Sequence, residues 1–296
     1  MNESELLKKI LPVFHIASDV TVPPGDDCAM LEFGGKYLLA AADQLISNVH
    51  YLYDTAPELV AAKLLKRNLS DIAAMGGIPR WALLTLAVKG RSDEWLERFF
   101  AGLEDCAEKY NTAIVGGDLA GLPNDLDCAS LTILGEAEPD KVCLRKNGQV
   151  GDHIMVTGQL GDTFYTQHHL NFIPRLKEGR FLAENGLTRC MMDISDGIAS
   201  DLPKLLEQSG KGAVVALEKL PCCNGCTVEH ALSDGEDYEL LFTVAPEKVD
   251  LLYKLWNFDV PLSCIGKITE DKGLIYTLNG KAIDNLEITG YEHFNA

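Results

Sequence analysis

The stretch Asn68-Leu69-Ser70-Asp71-Ile72-Ala73-Ala74-Met75-Gly76-Gly77 closes a helix that the sequence predicts from Pro57 to Met75. Pro57 suits a first helical turn, and the paired glycines favour the end of a helix. Asp54 or Thr55 is expected to cap the N-terminus. Apolar residues recur with a period near 3.6, which predicts a largely buried helix. They are Leu59, Val60, Leu64, Leu65, Leu69, Ile72 and Met75.

Two polar residues near the end of this helix point to a ligand. Asn68 and Asp71 are three positions apart, so their side chains share one face. Asp71 falls in the last turn, where the helix dipole disfavours a negative charge. Asp71 is therefore either an exposed carboxylate or a metal ligand, because a divalent cation outweighs the dipole.

Composition limits the class of protein and its partners. The chain has 296 residues, 47% of them hydrophobic and 24% charged, which fits a folded protein with two domains of ordinary size. Its 26 Lys plus Arg against 44 Asp plus Glu give a net charge of −18. Such a charge argues against a nucleic-acid or anionic-membrane partner, and an anionic substrate would need metal ions as mediators.

The N-terminal residues and the cysteines predict a cytoplasmic protein. Residues 1–16 have neither the signal-peptide pattern nor a long apolar run. Nine cysteines without an export signal are expected to be reduced thiols. Cys222-Cys223-Asn224-Gly225-Cys226 is similar to half of a zinc knuckle, but no second CxxC or His-x-x-x-His completes it nearby. We interpret this stretch as an ordinary loop.

Both halves of the chain repeat the order of strand, acidic glycine turn and helix. This order predicts an α/β fold with two domains, residues 1–140 and 148–296. In the first half, the strand from Lys36 to Ala42 is expected to deliver Asp43 at its end. Likewise, the strand from Thr112 to Val115 is expected to run into Gly116-Gly117-Asp118.

Seven carboxylates stand at predicted strand or helix ends beside small residues. They are Asp26, Asp27, Asp43, Asp71, Asp118, Asp193 and Asp196. If they converge, they repel one another unless cations lie among them, so a site for several magnesium ions is predicted. Magnesium bridges carboxylates to phosphate oxygens, which points to nucleotide chemistry. The GxxxxGK[ST] loop and the protein-kinase HRD and DFG motifs are absent.

The acidic motifs, taken together, resemble those of the thiamine-monophosphate kinases. The motifs occur in the family's order over nearly the whole chain: Pro24-Gly-Asp-Asp-Cys-Ala29, Asp43 with His50, Asn68 to Gly76, Pro79-Arg-Trp-Ala82, Gly116-Gly-Asp118, Asp193-Ile-Ser-Asp-Gly197, Gly235-Glu-Asp-Tyr-Glu-Leu240 and Gly290-Tyr-Glu-His-Phe294. Single motifs are shared with aminoimidazole ribonucleotide synthetase, selenophosphate synthetase and the hydrogenase maturation factor. The full set with the aromatic tail is specific to the kinases.

The resemblance implies a two-domain aminoimidazole ribonucleotide synthetase-like fold. The N-terminal sheets of two chains would pair in a homodimer, and the site would lie in the cleft between domains. The implied reaction converts ATP and thiamine monophosphate to ADP and thiamine diphosphate. The phosphoryl group would pass directly, in line and with magnesium, without a phosphoenzyme.

The resemblance also implies residue roles at matching positions. Magnesium ligands would be Asp27, Asp43, Asp71, Asp118, Asp193 and, on a further ion, Asp196. ATP would contact Gly117, Asp118, Arg145 and Ser195, and thiamine monophosphate would contact His50, Glu236 and Tyr291. Asp26 would support its neighbours without touching an ion. For His50, simple packing beside aromatic residues stays the alternative.

The chain departs from the family pattern at two places. Ala41 and Ala42 stand where the family has hydroxyl residues, so a metal contact there would use backbone carbonyls. The connection between residues 161 and 193 is short, and His169-Leu170-Asn171 replaces a more basic sequence. A helix is therefore expected to be missing from the outer wall of the cleft.

Other functions are less consistent with the residues. A reactive Cys-Lys pair, as in selenophosphate synthetase, is absent near the N-terminus, and the chain ends in Phe294-Asn295-Ala296 rather than in the cysteine of the hydrogenase factor. A non-catalytic calcium-binding protein is the alternative from another class, but the EF-hand spacing is also absent.

Overall fold

A computed structural model describes residues 3–124, 126–283, 286 and 288–291 of the chain. The first half forms a six-stranded sheet whose strands are Val20–Val22 (β1), Ala29–Phe33 (β2), Lys36–Ile46 (β3), Ile78–Val88 (β4), Ala113–Gly121 (β5) and Cys128–Ala137 (β6). Their spatial order is β1-β2-β3-β6-β4-β5. Three helices accompany this sheet: Glu3–Ile10 (α1), Pro57–Ala74 (α2) and Asp93–Lys109 (α3).

The second half forms a seven-stranded sheet. Its strands are His153–Thr157 (β7), Met191–Asp193 (β8), Gly212–Ala216 (β9), Leu240–Val244 (β10), Leu262–Thr269 (β11), Gly273–Leu278 (β12) and Lys281–Ala282 (β13), in the order β13-β12-β9-β11-β7-β10-β8. Its helices are His168–Asn171 (α4), Leu176–Glu184 (α5), Ile198–Ser209 (α6), Val228–Ser233 (α7) and Val249–Leu255 (α8). The predicted α/β fold with two sheets is confirmed.

The position of the domain boundary stays a prediction. The first sheet ends at Ala137 and the second begins at His153, on either side of the predicted crossing. None of the described helices combines the length and apolarity needed to cross a bilayer.

Helix α2 lies at the junction of the two halves. Its residues Leu64, Leu69 and Ile72 are fully buried in the core beneath the first sheet. Ala73 and Ala74, at its end, instead join the apolar cluster of the second half. Burying a large aliphatic side chain stabilises a fold by about 1.5–3 kcal/mol. The last turn of α2 is thus held by apolar packing from both sides.

The ends of α2 agree with the prediction, but its N-terminal cap does not. The N-cap position is Ala56 and accepts no side-chain hydrogen bond there, so neither Asp54 nor Thr55 caps the helix. At the other end, Gly76 has a φ of +67°, and the Gly77 amide donates to the Ile72 carbonyl at 2.9 Å. This left-handed glycine stops the helix directly after the polar turn.

Two strands are longer than predicted, so two acidic motifs lie inside strands. Asp43 lies within β3 and pairs with Leu131, and Asp118 lies within β5 and pairs with Thr85. Hydrogen bonding to a long partner strand outweighs the local tendency of the glycines to end the strand. A Cβ on Gly117 would lie 1.6 Å from the Leu84 carbonyl oxygen, so close strand packing alone requires glycine there.

The short connection between the predicted turns contains two helices, α4 and α5. Lys66 of α2 donates from Nζ to the carbonyls of Leu170 and Phe172, at 2.8 and 3.0 Å. Its ammonium also lies 4.6 Å from the centre of the Phe172 ring. The connection is therefore tied to α2, and the expected loss of a family helix stays a prediction.

Candidate functional site

Three of the predicted metal ligands converge in the folded chain. Asp27 comes from the turn before β2, Asp71 from the last turn of α2, and Asp193 from the end of β8. One carboxylate oxygen from each lies within 4.8 Å of the others. This carboxylate cluster has the all-oxygen composition that magnesium or calcium prefers.

The electrostatics of the carboxylate cluster are unfavourable without a cation. Burial, together with Asp43, Asp193 and Asp27, holds the pKa of Asp71 well above its usual range. Burial and Asp27 raise the pKa of Asp193 in the same way. Among the described residues, no salt bridge involves Asp71 or Asp193. Buried carboxylates of this kind either bind protons or take up a positive ion.

Arg145 compensates one member of the cluster. Its Nη2 and Nε donate to the two oxygens of Asp27, at 2.5 and 3.3 Å. The Arg145 amide donates to Asp26 at 3.1 Å. Burial and the adjacent Asp27 still raise the pKa of Asp26 to about 7. Arg145, predicted to contact ATP, is thus directed in the structure at the acidic turn.

Neutral hydrogen bonds orient other acidic groups. The Ser70 hydroxyl donates to Asp193 Oδ2 at 2.6 Å. Asn68 is fully buried, and its side-chain oxygen accepts from the Asp43 amide at 3.2 Å. The predicted polar face of α2 is therefore occupied by contacts to β3 and β8.

The sequence reasoning missed two basic residues on the same face of α2. Arg67 donates from Nε and Nη2 to the two oxygens of Asp43, at 3.2 and 3.3 Å. Lys63, whose side chain is fully buried, donates to Glu236 Oε2 at 2.7 Å and to the His50 carbonyl at 2.5 Å. Burial lowers the pKa of Lys63 to about 8, against the raising effect of Glu236. Their spacing of four residues within an apolar helix was the available signal.

A small cleft, with a cavity volume of about 40 Å³, lies beside these ion pairs. The lining residues are Val49, His50, Arg67, Phe164, Ser195, Asp196, Asp234, Glu236, Tyr238 and Tyr291. Five predicted site residues thus meet around one cleft: His50, Ser195, Asp196, Glu236 and Tyr291. His50 is 6% exposed, and its Nδ1 accepts from the Ile46 amide at 3.0 Å.

The turn that carries Ser195 and Asp196 is held by a residue that sequence reasoning overlooked. Neither side chain caps α6, because the N-cap is Gly197, which has no side chain. Instead, Asp201 in the first turn of α6 accepts from both of their amides at 2.9 Å. Lys204 donates to Asp196 and Asp201, at 2.6 and 2.8 Å.

The C-terminal segment reaches the same turn. The Tyr291 amide donates to the Asp196 carbonyl at 3.0 Å, and the Tyr291 side chain is 45% exposed at the cleft. The remainder of the aromatic tail motif, Glu292 to Phe294, lies outside the described residues.

Asp118 is not brought to the carboxylate cluster. Across the sheet, Asp118 pairs with Thr85, Thr85 with Ser130, and Ser130 with Gln44. Asp43, the residue before Gln44, pairs instead with Leu131. Because successive residues of a strand point to opposite faces, Asp118 and Asp43 face opposite sides of the sheet. Asp118 also lies three strands away from β3, about 14 Å at ~4.8 Å per strand. Within one chain, these two carboxylates cannot share an ion.

The other family departure concerns the strand beside Asp43. Ala41 and Ala42 lie within β3, opposite Ile133 and Thr132 of β6. The predicted use of their carbonyls as metal ligands stays a prediction.

Comparison with known proteins first defines the class. Residues 25–137 match the family model "AIR synthase related protein, N-terminal domain", and residues 135–279 match its C-terminal domain. These two matches agree with the two sheets and the cleft between them.

The relatives then identify the family within this class. Thiamine-monophosphate kinase of Haemophilus influenzae is 34% identical over 327 aligned positions, covering 99% of this chain and 98% of that protein. The Escherichia coli K12 kinase is 34% identical over 93% of both chains. The solved structure "AaThiL complexed with AMPPCP and TMP" has a TM-score of 0.84, 29% identity and coverage of 99% and 97%. The chain belongs to the thiamine-monophosphate kinase family.

Proposed function

We propose that this chain transfers the γ-phosphoryl group of ATP to thiamine monophosphate, giving ADP and thiamine diphosphate. The similarity to kinases along nearly the full length supports this reaction. The main structural support is that Asp27, Asp71 and Asp193 converge. They lie beside the cleft, which is lined by His50, Glu236 and Tyr291 among others. Transfer of a phosphoryl group between two anions requires a cation-binding site of this kind.

The donor set of the carboxylate cluster fits magnesium. The cluster has three carboxylates, and two of them have strongly raised pKa values. Their ionised forms are more stable around a hard divalent cation than without one. Asp27, Asp71 and Asp193 would hold one such ion, and Asp43 and Asp196 would contact further ions. When bound, magnesium neutralises charge on the phosphate oxygens. Arg67 and Lys204, which now pair with Asp43 and Asp196, would then be available to phosphate groups.

The chain's own residues carry positioning rather than proton transfer. The acceptor is a phosphate oxygen that is largely ionised at neutral pH, since the second pKa of a phosphate monoester is near 6. A strong general base is therefore unnecessary, and direct in-line transfer needs alignment and charge compensation. Ser195 and Arg145 are proposed to contact ATP from the two sides of the carboxylate cluster.

The cleft suits the cationic, aromatic end of the acceptor. Tyr291 offers an aromatic face, and Glu236 offers a carboxylate held in place by Lys63 and by the Tyr238 hydroxyl, which lies 3.4 Å from Oε1. His50 closes the same side of the cleft. We therefore assign these three residues to thiamine monophosphate.

Product analysis tests the proposed reaction. Purified protein is incubated with MgATP and thiamine monophosphate, with thiamine as a parallel substrate, and the products are separated by chromatography. We expect thiamine diphosphate from the monophosphate alone, and loss of product in EDTA. Turnover of thiamine itself, or product formation without magnesium, would contradict the proposal.

The chain is proposed to act as a homodimer in which Asp118 and Gly117 serve the partner's site. Asp118 shares its face of the first sheet with Trp81 and Leu83 of β4, which are 43% and 40% exposed. An exposed apolar sheet face is typical of an interface. Asp118 cannot reach the carboxylate cluster of its own chain, so a second copy would have to supply it.

Mixing two inactive variants tests this assignment. If Asp118 acts on the partner's site, a mixed dimer of Asp118→Asn and Asp71→Asn chains has one site with both residues intact. Co-expression should then restore about one quarter of wild-type activity, because about half of randomly formed dimers are mixed. If both residues act within one chain, the mixture stays inactive.

A further inference from the structure

Outside the cleft, a second group of metal-ligating side chains lies between the loop after β7 and the start of α7. Asp162 comes from the loop, Cys226 from the turn before α7, and His230 from the first turn of this helix. One ligand atom from each of the three lies within 4.8 Å of the others. This group contains sulfur and nitrogen, unlike the all-oxygen carboxylate cluster.

A fourth ligating residue adjoins the group. Cys223 is three positions before Cys226, whose thiol donates to the Thr227 carbonyl at 3.1 Å. The Cys226 amide donates to the Cys223 carbonyl at 3.0 Å, which closes a tight turn at Gly225. This turn brings both sulfurs to the side on which Gly161 and Asp162 lie, with Cys223 Sγ 3.3 Å from the Gly161 carbonyl.

We propose that Asp162, Cys223, Cys226 and His230 bind one zinc ion. Two thiolates, an imidazole and a carboxylate form a four-ligand set that suits zinc, whereas magnesium prefers oxygen ligands alone. The Cys-x-x-Cys-x-x-x-His spacing supplies three ligands from one short segment. Asp162 supplies the fourth from a distant part of the chain.

Asp162 and His230 need only small movements to bind the same ion. His230 Nδ1 and Asp162 Oδ1 are 2.6 Å apart, and ligands at zinc bond lengths near 2.1 Å in a tetrahedron are separated by about 3.4 Å. The His230 side chain is 50% exposed and therefore has room to move. The thiols of Cys223 and Cys226 must turn away from the carbonyls of Gly161 and Thr227, to which they donate.

The position of the group indicates a structural role for the zinc. All four ligands would come from protein, which is typical of closed structural zinc sites. The loop that bears Asp162 also holds the segment next to Glu236: the Asp162 amide donates to Asp234 at 2.7 Å and the Gly161 amide to Asp237 at 2.8 Å. The ion would thus fix the wall of the cleft without reaching its interior. This inference does not depend on the proposed kinase reaction.

Metal analysis of the intact, tag-free chain tests the proposal. Protein reduced and freed of metal by a chelator is given zinc, dialysed and analysed by mass spectrometry of the elements. About one zinc per chain is expected to remain. Cobalt(II) in place of zinc should produce a thiolate-to-cobalt charge-transfer band and the visible bands of a tetrahedral site. Cys226→Ser and Asp162→Asn should each lose the zinc, and Cys226→Ser should weaken the charge-transfer band.

Cys264→Ser is the matched control. Cys264 is another half-buried thiol next to a histidine, 3.3 Å from His153 Nδ1, but it lies on β11 away from Asp162. This variant should keep the zinc and the cobalt spectrum.

Three results of the metal analysis would overturn the proposal. The first is a cobalt spectrum of the wild-type chain without thiolate bands. The second is zinc that remains bound in both Cys226→Ser and Asp162→Asn. The third is zinc that is lost only with Asp71→Asn, which would assign the ion to the carboxylate cluster. A Cys223–Cys226 disulfide that forms in place of zinc binding would also contradict it. Because the cobalt spectrum uses the wild-type chain, a variant that fails to fold leaves the test decisive.

Discussion

Lys63 and Arg67, in the middle of α2, each face a carboxylate, whereas Asp71, one turn further along the same helix, faces two more carboxylates. Glu236 and Asp43 compensate the two basic side chains at salt-bridge distances of 2.7 and 3.2 Å. At the other end, Asp71 and Asp193 have pKa values raised far above the ordinary range. One helix thus carries a charge-balanced region and a region that is acidic in excess.

This difference in charge balance indicates that the first region of α2 positions side chains and that the second binds ions. Buried ion pairs whose charges already cancel have little to gain from an added ion, and they fix the side chains that line the cleft. Carboxylates that repel one another gain strongly from a divalent cation. We therefore expect substitutions in the first region to affect stability, and substitutions in the second to affect activity.

The largest effect is expected at the acidic end. Asp71→Asn removes a proposed metal ligand and one source of repulsion, so turnover should fall by about 10²–10³-fold. The unfolding temperature in EDTA should stay equal or rise, because the carboxylates then repel one another less. Initial rates of thiamine diphosphate formation and thermal melting measure the two quantities.

Asp105→Asn is the matched control for this prediction. Asp105 lies on the exposed side of α3, so the same chemical change there should leave both quantities unaltered. Near-normal turnover of Asp71→Asn would remove Asp71 from the metal site.

A smaller effect, on stability, is expected at the charge-balanced end. Lys63→Met leaves Glu236 without its buried partner and the His50 carbonyl without a donor, which should lower the free energy of unfolding by about 3 kcal/mol. The double variant Lys63→Met/Glu236→Gln should recover part of the loss, since it removes the uncompensated charge. Urea unfolding of the variants forms a double-mutant cycle.

Lys177→Met controls for the loss of a surface lysine, because Lys177 is exposed on α5. If Lys63→Met is as stable as this control, the pair with Glu236 does not hold the cleft together.

The smallest effect is a pH dependence with opposite signs at the two ends. The pKa of Asp26, beside the acidic end, is raised to about 7, so in EDTA the folded chain binds protons that the unfolded chain releases. Its stability should fall as pH rises from about 4 to about 7, by up to about 1.4 kcal/mol per pH unit for each such group.

At the lysine end, the pH dependence of stability has the opposite sign, because burial lowers the pKa values of Lys63 and Lys66 to about 8. Unfolded lysines keep their protons to about pH 10, so stability should recover between pH 8 and 10. Thermal melting in EDTA from pH 5 to 10 should therefore show a minimum between pH 7 and 8. Saturating magnesium should flatten the acidic limb, as should Asp26→Asn. A curve that rises steadily from pH 5 to 7 would contradict the assigned shift.

Sequence reasoning was most successful where chemistry depends on a few neighbouring residues. The boundaries of α2 followed from the apolar period, proline and glycine, and the acidic motifs included Asp27, Asp71 and Asp193, which converge in the folded chain. It was less successful where a partner strand decided the outcome. Asp43 and Asp118 lie inside strands because β6 and β4 extend the ladders past the local turn signals.

It was least informative about contacts between distant segments. The pairing of Lys63 with Glu236 and the approach of Asp162 to Cys226 join residues that are far apart in the chain. The interpretation of residues 222–226 as an ordinary loop rested on nearby residues alone, whereas Asp162, the proposed fourth ligand, is distant in the chain.

The sequence by itself determined the α/β class, the family and the residues that carry charge, because local periodicity and short motifs encode them. Only the tertiary structure decided which charges are compensated and which are in excess. The physical reason is that a pKa depends on burial and on neighbours within a few ångströms, and those neighbours come from all parts of the chain. The face on which Asp118 lies was likewise decided by strand register, since a shift of one residue would turn it to the opposite side.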